Sequence, residues 1–304
     1  MYELIIIGAG PAGMTAAVYA GRKKLNALLV SYNIGGQVLW TAGVENYMGY
    51  QFIEGSELMQ KFQEQVKQFP IDTKTGQKVS SLSRINTGFE LRTDAGESYR
   101  AKAVIIATGK RPRQLNVPGE EKLMGRGVTY CAICDGPLFA GENVAVIGGG
   151  NSALEAVDDM TKIAERVYLV SLTPLTGDQI LIDKVNAANN LATFLEHEVL
   201  EIQGESRVEG IKIRDLKTRQ EKELKVGGIF IEIGLIPNSE PFQGMVGLNR
   251  LGEIEVNCAN ETGVPGLFAA GDVTNVPEKQ IVVAAGEGAK AALQAHRYLQ
   301  RLSE

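Results

Sequence analysis

The chain has 304 residues, 44% of them hydrophobic and 22% charged, with 35 glycines and a net charge of -5. That length is about twice an ordinary domain, so two compact units with separate cores are expected, and the composition excludes disordered and fibrous classes. The mild negative charge without a basic stripe gives nucleic acid and anionic membranes no footprint, and the longest apolar runs fall short of the roughly 20 residues that span a bilayer.

The chain opens on a strand, Glu3 to Ile7, without the basic region, long apolar segment or cleavage site of a secretion signal, so a cytoplasmic location is expected. It runs into Gly8-Ala9-Gly10-Pro11-Ala12-Gly13, a helix over Met14 to Arg22 and a strand over Ala27 to Val30. In this βαβ opening Gly8 permits a tight turn, Gly10 lets backbone N–H groups approach a pyrophosphate, and Gly13 lets the helix pack close to the strand. The helix N-terminus faces the anion with its partial positive charge. Phe89 to Thr93 and Ser98 to Ala101 alternate around Asp94-Ala95-Gly96 as an antiparallel hairpin inserted in the first unit. Ala103 to Gly109 reads as a buried strand ending in a glycine turn, where the chain leaves that unit.

Cys131-Ala132-Ile133-Cys134-Asp135-Gly136 has the spacing to close a small disulfide ring at the start of a helix, where the helix N-terminus favours thiolate. A zinc site needs four ligands, and the other candidates, Cys258, His197 and His296, are distant, so no metal is expected. These three read as spectator, surface or packing residues. A purely structural pair is disfavoured, because so short a loop stabilises a fold little. Asp135 is a candidate general acid or base if burial holds its pKa near neutrality, with a helix N-cap as the plain alternative.

A second glycine turn follows a strand over Asn143 to Ile147. It reads Gly148-Gly149-Gly150-Asn151-Ser152-Ala153, then a helical stretch and a strand around Val167 to Val170. Gly148, Gly150, Asn151 and Ser152 are the candidates for a second dinucleotide site. Pro112, Pro118 and Pro237 punctuate the crossings between units. Gly266 to Asp272 and a helix from about Val282 to Leu302 are expected to return to the first unit. The fold class is therefore α/β: two Rossmann-like units of the three-layer ββα type, residues 113–240 inserted in a unit made of 1–112 and 241–304.

These residues resemble the low-molecular-weight thioredoxin reductases and the flavoprotein subunit of alkyl hydroperoxide reductase over essentially the whole chain. The likeness runs through the first glycine turn, Gly35-Gly36-Gln37, Glu45-Asn46-Tyr47, Ala107-Thr108-Gly109, Gly127-Val128-Thr129-Tyr130-Cys131, Cys134-Asp135-Gly136, the second glycine turn and Phe268-Ala269-Ala270-Gly271-Asp272. The pair of thioredoxin-like modules in the hydroperoxide reductase flavoprotein has no counterpart in this sequence, so a separate protein is expected to accept the electrons. The resemblance implies FAD held by Gly8, Gly10, Pro11, Ala12, Gly13, Gly36, Gln37, Asn46, Ala107, Thr108, Gly109, Gly271, Asp272, Lys279, Gln280 and Ile281, with Asp272 as a ribityl-hydroxyl partner. It implies that Cys134 faces the flavin, Cys131 exchanges with a thioredoxin or thioredoxin-like disulfide and Asp135 is the acid–base group. It further implies units that rotate about linkers near Pro112 and Pro237, in a homodimer. The rival readings are a flavin oxidase or peroxiredoxin-system reductase, and a redox sensor without turnover.

One stretch departs from the family. Beyond the second glycine turn, where an acid would take a ribose 2′-hydroxyl or arginines a 2′-phosphate, the chain reads Val170-Ser171-Leu172-Thr173-Pro174-Leu175-Thr176. The thioredoxin reductases have a His-Arg-Arg cluster there, and the hydroperoxide reductase flavoprotein has a glutamate where Ser171 falls. A 2′-phosphate would forgo charge-assisted hydrogen bonds of roughly 1.5–3 kcal/mol each, so NADPH is the least supported donor. NADH, a ferredoxin or other protein donor with a degenerate second site, or a second FAD in that site remain. Acidic ferredoxin would want a basic surface, but the run Lys110, Arg111, Arg113, Lys122 and Arg126 reads as a solvated linker.

Overall fold

Leu4, Ile5, Ile6 and Ile7 are all buried in the first strand, β1 (Tyr2–Ala9), as in a central parallel strand covered on both faces. The computed structural model, which describes residues 1–41 and 43–302, continues through α1 (Pro11–Arg22), β2 (Ala27–Ile34), α2 (Gly55–Val66), β3 (Asp72–Thr75), β4 (Val79–Ile85), β5 (Gly88–Thr93) and β6 (Ser98–Ile106). The short β7 (Lys110–Pro112) leads out to β8 (Val128–Thr129), the single turn α3 (Ala132–Asp135), β9 (Asn143–Ile147), α4 (Asn151–Thr161), β10 (Arg166–Ser171), α5 (Gln179–Asn186) and β11 (Leu191–Leu195). Then come β12 (His197–Gln203), β13 (Gly210–Asp215), β14 (Glu221–Leu224) and β15 (Gly228–Ile231). The return path is β16 (Leu235–Pro237), β17 (Leu267–Ala269) and α6 (Ile281–Arg301).

The first sheet has the order β3-β2-β1-β6-β5-β4, with β17 also on β6. Its β1, β2, β3, β6 and β17 pair in parallel, while β4, β5 and β6 form an antiparallel meander. The hairpin strand and the buried strand expected separately over 98–101 and 103–109 are one element. The first half of β6 pairs with β5 and Val104 to Ile106 pair with β17, so an alternating pattern gives way to continuous burial within a single strand. The second sheet, β11-β10-β9-β15-β8, is wholly parallel and is accompanied by the antiparallel β12-β13-β14. Among the described residues no helix is long and apolar enough to cross a membrane.

The two crossings lie side by side. β7 and β16 pair antiparallel, Leu235 with Pro112 and Pro237 with Lys110, and prolines in both strands keep this ribbon from growing into a sheet. Thr108 Oγ1 donates to the Asn238 carbonyl at 2.8 Å, and Asn238 Nδ2 returns a bond to the Thr108 carbonyl at 2.8 Å. The basic run is exposed as expected at Arg111, Arg113, Lys122 and Arg126, and departs from a solvated linker only at Lys110. Lys110 is buried on Glu253 at 2.5 Å, Arg111 is paired with Glu240 at 2.6 Å and Lys122 with Glu205 at 3.1 Å.

Close approach explains Gly13: a Cβ there would sit 1.7 Å from the Gly8 carbonyl oxygen, which only a shift of α1 against β1 relieves. Gly13→Ala is expected to cost about 1–3 kcal/mol through overpacking and to lower the thermal unfolding midpoint by several degrees. An unchanged midpoint in calorimetry would show that α1 is free to move.

Candidate active site

Cys131 and Cys134 are joined as a disulfide with Cα atoms 5.3 Å apart. Cys131 is the extended residue that caps α3, and its Sγ accepts the Cys134 N–H at 3.3 Å. On reduction that amide donor favours a thiolate on Cys131. Both cysteines are half-buried, and the side chains of Ile133 and Leu138 beside them are exposed.

Asp135 closes α3 and makes no side-chain cap, so the plain capping alternative is not realised. Its Oδ2 accepts from the Thr129 hydroxyl, whose oxygen in turn accepts the Cys131 N–H at 3.2 Å. Its Oδ1 is buried without a partner among the described residues. Burial pushes the Asp135 carboxyl up to about 6, against the opposing pull of the Thr129 bond. A cavity of about 30 Å³ lined by Thr129, Asp135, Leu138 and Phe139 lies alongside, room enough for one water-sized molecule. The dithiol thus has a proton-carrying group at hand near neutral pH.

The second glycine turn lies where the strand order of its sheet reverses: from β9 the chain winds out to β10 and β11 on one side, while β15 lies on the other. Ligands of open parallel sheets bind at such switch points. Its backbone matches the first turn. Gly10 has φ -81° and ψ -172°, Gly150 φ -91° and ψ -176°, and both α1 and α4 begin without a side-chain cap. Each helix therefore presents unpaired N–H groups to an anion. Gly148, Gly150, Asn151 and Ser152 line a cavity of about 1210 Å³, above the roughly 300–1,000 Å³ usual for small-molecule sites. The Asn151 side chain itself is engaged by Asp178, giving 3.0 Å and receiving 2.7 Å. Ser171, Leu172 and Thr173 also line the cavity, and Ser171 is buried, so this stretch beyond the glycine turn contributes neither acid nor cation to it.

Sequence reasoning missed Glu232, which lies just past β15, lines the same cavity and accepts the Ala132 N–H at 3.2 Å. Burial pushes its carboxyl up to about 7, with Glu155 adding to the rise and the Ala132 amide opposing it. A lone glutamate after an apolar strand carries no motif, so nothing local marks it.

In the first unit the fold assembles residues from opposite ends of the chain. Gln37 Nε2 donates to Asp272 Oδ2 at 3.4 Å, and Asn46 Nδ2 to Gln280 Oε1 at 3.1 Å. Gly10 and Gly36 face each other, a Cβ on Gly36 lying 3.6 Å from Gly10 Cα. Ala107 backs Gly8, and Gly271 packs on Ala12. Lys279 turns its ammonium to the Thr274 carbonyl at 2.6 Å and to Glu253 at 3.1 Å, and the Thr108 hydroxyl donates to the Asn238 carbonyl. Burial raises the pKa of Asp272, offset by Lys279 and Lys110. A half-buried carboxylate with one long partner has room for hydroxyl donors, so the cradle fits the polyol of a flavin dinucleotide.

Residues 2–288 match the family model described as pyridine nucleotide-disulphide oxidoreductase. The chain is 43% identical over 306 residues to the F subunit of alkyl hydroperoxide reductase from Pseudomonas putida, covering 99% of this chain and 59% of that protein. It is 41% identical over 301 residues to a Bacillus subtilis (strain 168) protein named NADH dehydrogenase, with the same 99% and 59% covered. It thus spans about three-fifths of the length of these curated relatives. Thioredoxin reductase of Streptococcus pyogenes MGAS5005 superposes with a TM-score of 0.94 at 37% identity, 99% of each chain covered. The thioredoxin reductase of Lactococcus lactis, in its FR conformation, gives 0.69 at 34% identity with 99% of this chain and 100% of that chain covered. With a dithiol turn and two glycine turns at strand–helix junctions, the chain belongs to the pyridine nucleotide-disulphide oxidoreductase family.

Proposed function

We propose that this enzyme takes two electrons from NADH, passes them through FAD to the Cys131–Cys134 disulfide and delivers them to a thioredoxin-like protein disulfide. The observation that carries this reading is the dithiol turn with Asp135 buried behind it and an open glycine crevice beside it. Bound FAD supplies the two-electron relay between donor and disulfide. Gln37, Asn46, Asp272 and Gln280 would hold it, and the N–H groups opening α1 would take its pyrophosphate. Cys134 faces the flavin and Cys131 faces the partner. The Cys131 thiolate attacks the partner disulfide, forming a mixed disulfide and releasing one partner thiolate. The Cys134 thiolate then attacks Cys131 Sγ, re-forming the ring and releasing the second. Asp135 supplies a proton to a departing thiolate.

Serving flavin and partner in turn asks the units to rotate about the β7/β16 ribbon. The drop in TM-score from 0.94 to 0.69 between two thioredoxin reductases of similar identity and coverage supports units that are related in more than one way. A relic site fed by ferredoxin accords less well with a second glycine turn that keeps the backbone of the first. Anaerobic stopped-flow reduction tests the donor: flavin bleaching by NADH is expected, and bleaching by reduced ferredoxin alone would overturn it. A peroxide-linked acceptor is a second reading, favoured by the 43% identity to the F subunit of alkyl hydroperoxide reductase. Turnover with a thioredoxin and with a peroxiredoxin module, measured in parallel, separates the two.

The bare ribose wall gives a further expectation. Leu172→Arg combined with Thr173→Arg should raise kcat/KM for NADPH by about 10–100-fold, the worth of one or two charge-assisted bonds to a 2′-phosphate, with little change for NADH. Equal gains for both donors would place the ribose elsewhere.

A further inference from the structure

Glu232 is fixed against the mouth of the crevice. Its backbone N–H donates to the Ile147 carbonyl at 2.8 Å, and its own carbonyl oxygen would lie 2.4 Å from a Cβ on Gly148. Its carboxylate reaches the other way, Oε1 accepting from Ala132 between the two cysteines. Among the described residues Oε2 receives no protein donor. An ionised carboxylate has about four acceptor directions, and a single amide does not offset the burial that favours its neutral form. A ligand entering between Gly148 and Glu232 meets a carboxylate oxygen free to accept hydroxyl or amide hydrogens.

Resting on the NADH reading above, we propose that Glu232 is a positioning residue shared by the donor crevice and the dithiol turn. It accepts a ribose hydroxyl or the carboxamide N–H of the nicotinamide half and, through Ala132, ties donor binding to the dithiol. Donors brought by the ligand favour the ionised form, so binding lowers the Glu232 pKa and releases a proton. The charged and titratable groups on the surrounding elements are Asp135 and the reduced cysteines in the dithiol turn, Glu155 on α4, Arg111 and Arg113 in the first linker, and His197 and Glu198 on β12. Arg111 is held by Glu240.

Calorimetric titration of the FAD-loaded enzyme with the redox-inert analogue 1,4,5,6-tetrahydro-NADH, and with AMP, tests this. Glu232→Ala is expected to weaken the analogue about ten-fold and to leave AMP, which lacks the nicotinamide half, within about two-fold. Wild-type affinity for the analogue should rise several-fold from pH 6 to pH 8, with proton release, and Glu232→Gln, near-isosteric and uncharged, should be flat. In a dithiothreitol redox buffer the bound analogue should displace the dithiol–disulfide equilibrium in wild type and less than half as far in Glu232→Gln. Unchanged analogue affinity in Glu232→Ala, or an intact pH dependence in Glu232→Gln, overturns the role of Glu232 while leaving NADH as donor. Failure of wild type to bind the analogue overturns the donor reading and this role with it.

Discussion

Cys134→Ser is expected to abolish steady-state reduction of a protein disulfide, by more than about 1,000-fold, because only a thiolate at that position can displace the partner from Cys131. Flavin content and anaerobic flavin bleaching by NADH should persist, since Gln37, Asn46, Asp272 and Gln280 are untouched. The variant keeps the Cys131 thiol, with the Cys134 position's amide still beside it. It should therefore stop at the mixed disulfide, visible as a covalent complex on a non-reducing gel. Turnover that survives the substitution would show electrons leaving the flavin without the ring, as in an oxidase.

Asp135→Asn is the second large effect, an expected loss of about 100-fold in turnover with a protein disulfide. Giving a proton to a leaving thiolate requires the protonated form. Wild-type rate should then fall as pH rises through about 6, where burial places this carboxyl, and the asparagine variant should lack that limb. Stability moves the same way. The folded pKa is raised above the ordinary 3.8, so the protonated form favours the fold and stability is lost as pH rises through about 6. At pH 7 and above the cost is on the order of 3 kcal/mol. Asp135→Asn removes it, so the variant should melt higher than wild type at pH 8 and no higher at pH 4. A variant that keeps the wild-type pH limb and is no more stable than wild type at pH 8 would reduce Asp135 to a packing residue.

The parts legible in the sequence share one property: their chemistry lies within a few neighbouring residues. Gly8, Gly10 and Gly13 and their second copy announce a turn that only glycine permits, at +105° for Gly8 and +144° for Gly148, and both stand at strand–helix junctions. The Cys131–Cys134 spacing matches a ring that one turn can close, and it closes. The meander β12-β13-β14 carries no clear signal, since charged residues interrupt its alternation and most of its first strand is only half-buried. Lys110 reads as solvated because a lysine in a basic run ordinarily is. Glu253, a hundred and more residues further on, makes its burial tolerable by pairing with it, as buried charges require.

By itself, then, the sequence determined two glycine cradles, the dithiol and the order of the units, all written in short-range backbone constraints. Only the tertiary structure decided which groups face them. Gln37 meets Asp272 across 235 residues, Ala132 meets Glu232 across 100, and Thr108 meets Asn238 across 130. The first and last of these contacts exist because the chain leaves the first sheet and returns to it along the paired strands β7 and β16, and the second because β8 lies beside β15 in the second sheet. Proton affinities follow the same rule, because they are set by burial and by neighbours from other elements. Asp135 and Glu232 acquire theirs only once β8, α3, α4 and β15 of the second unit are packed together.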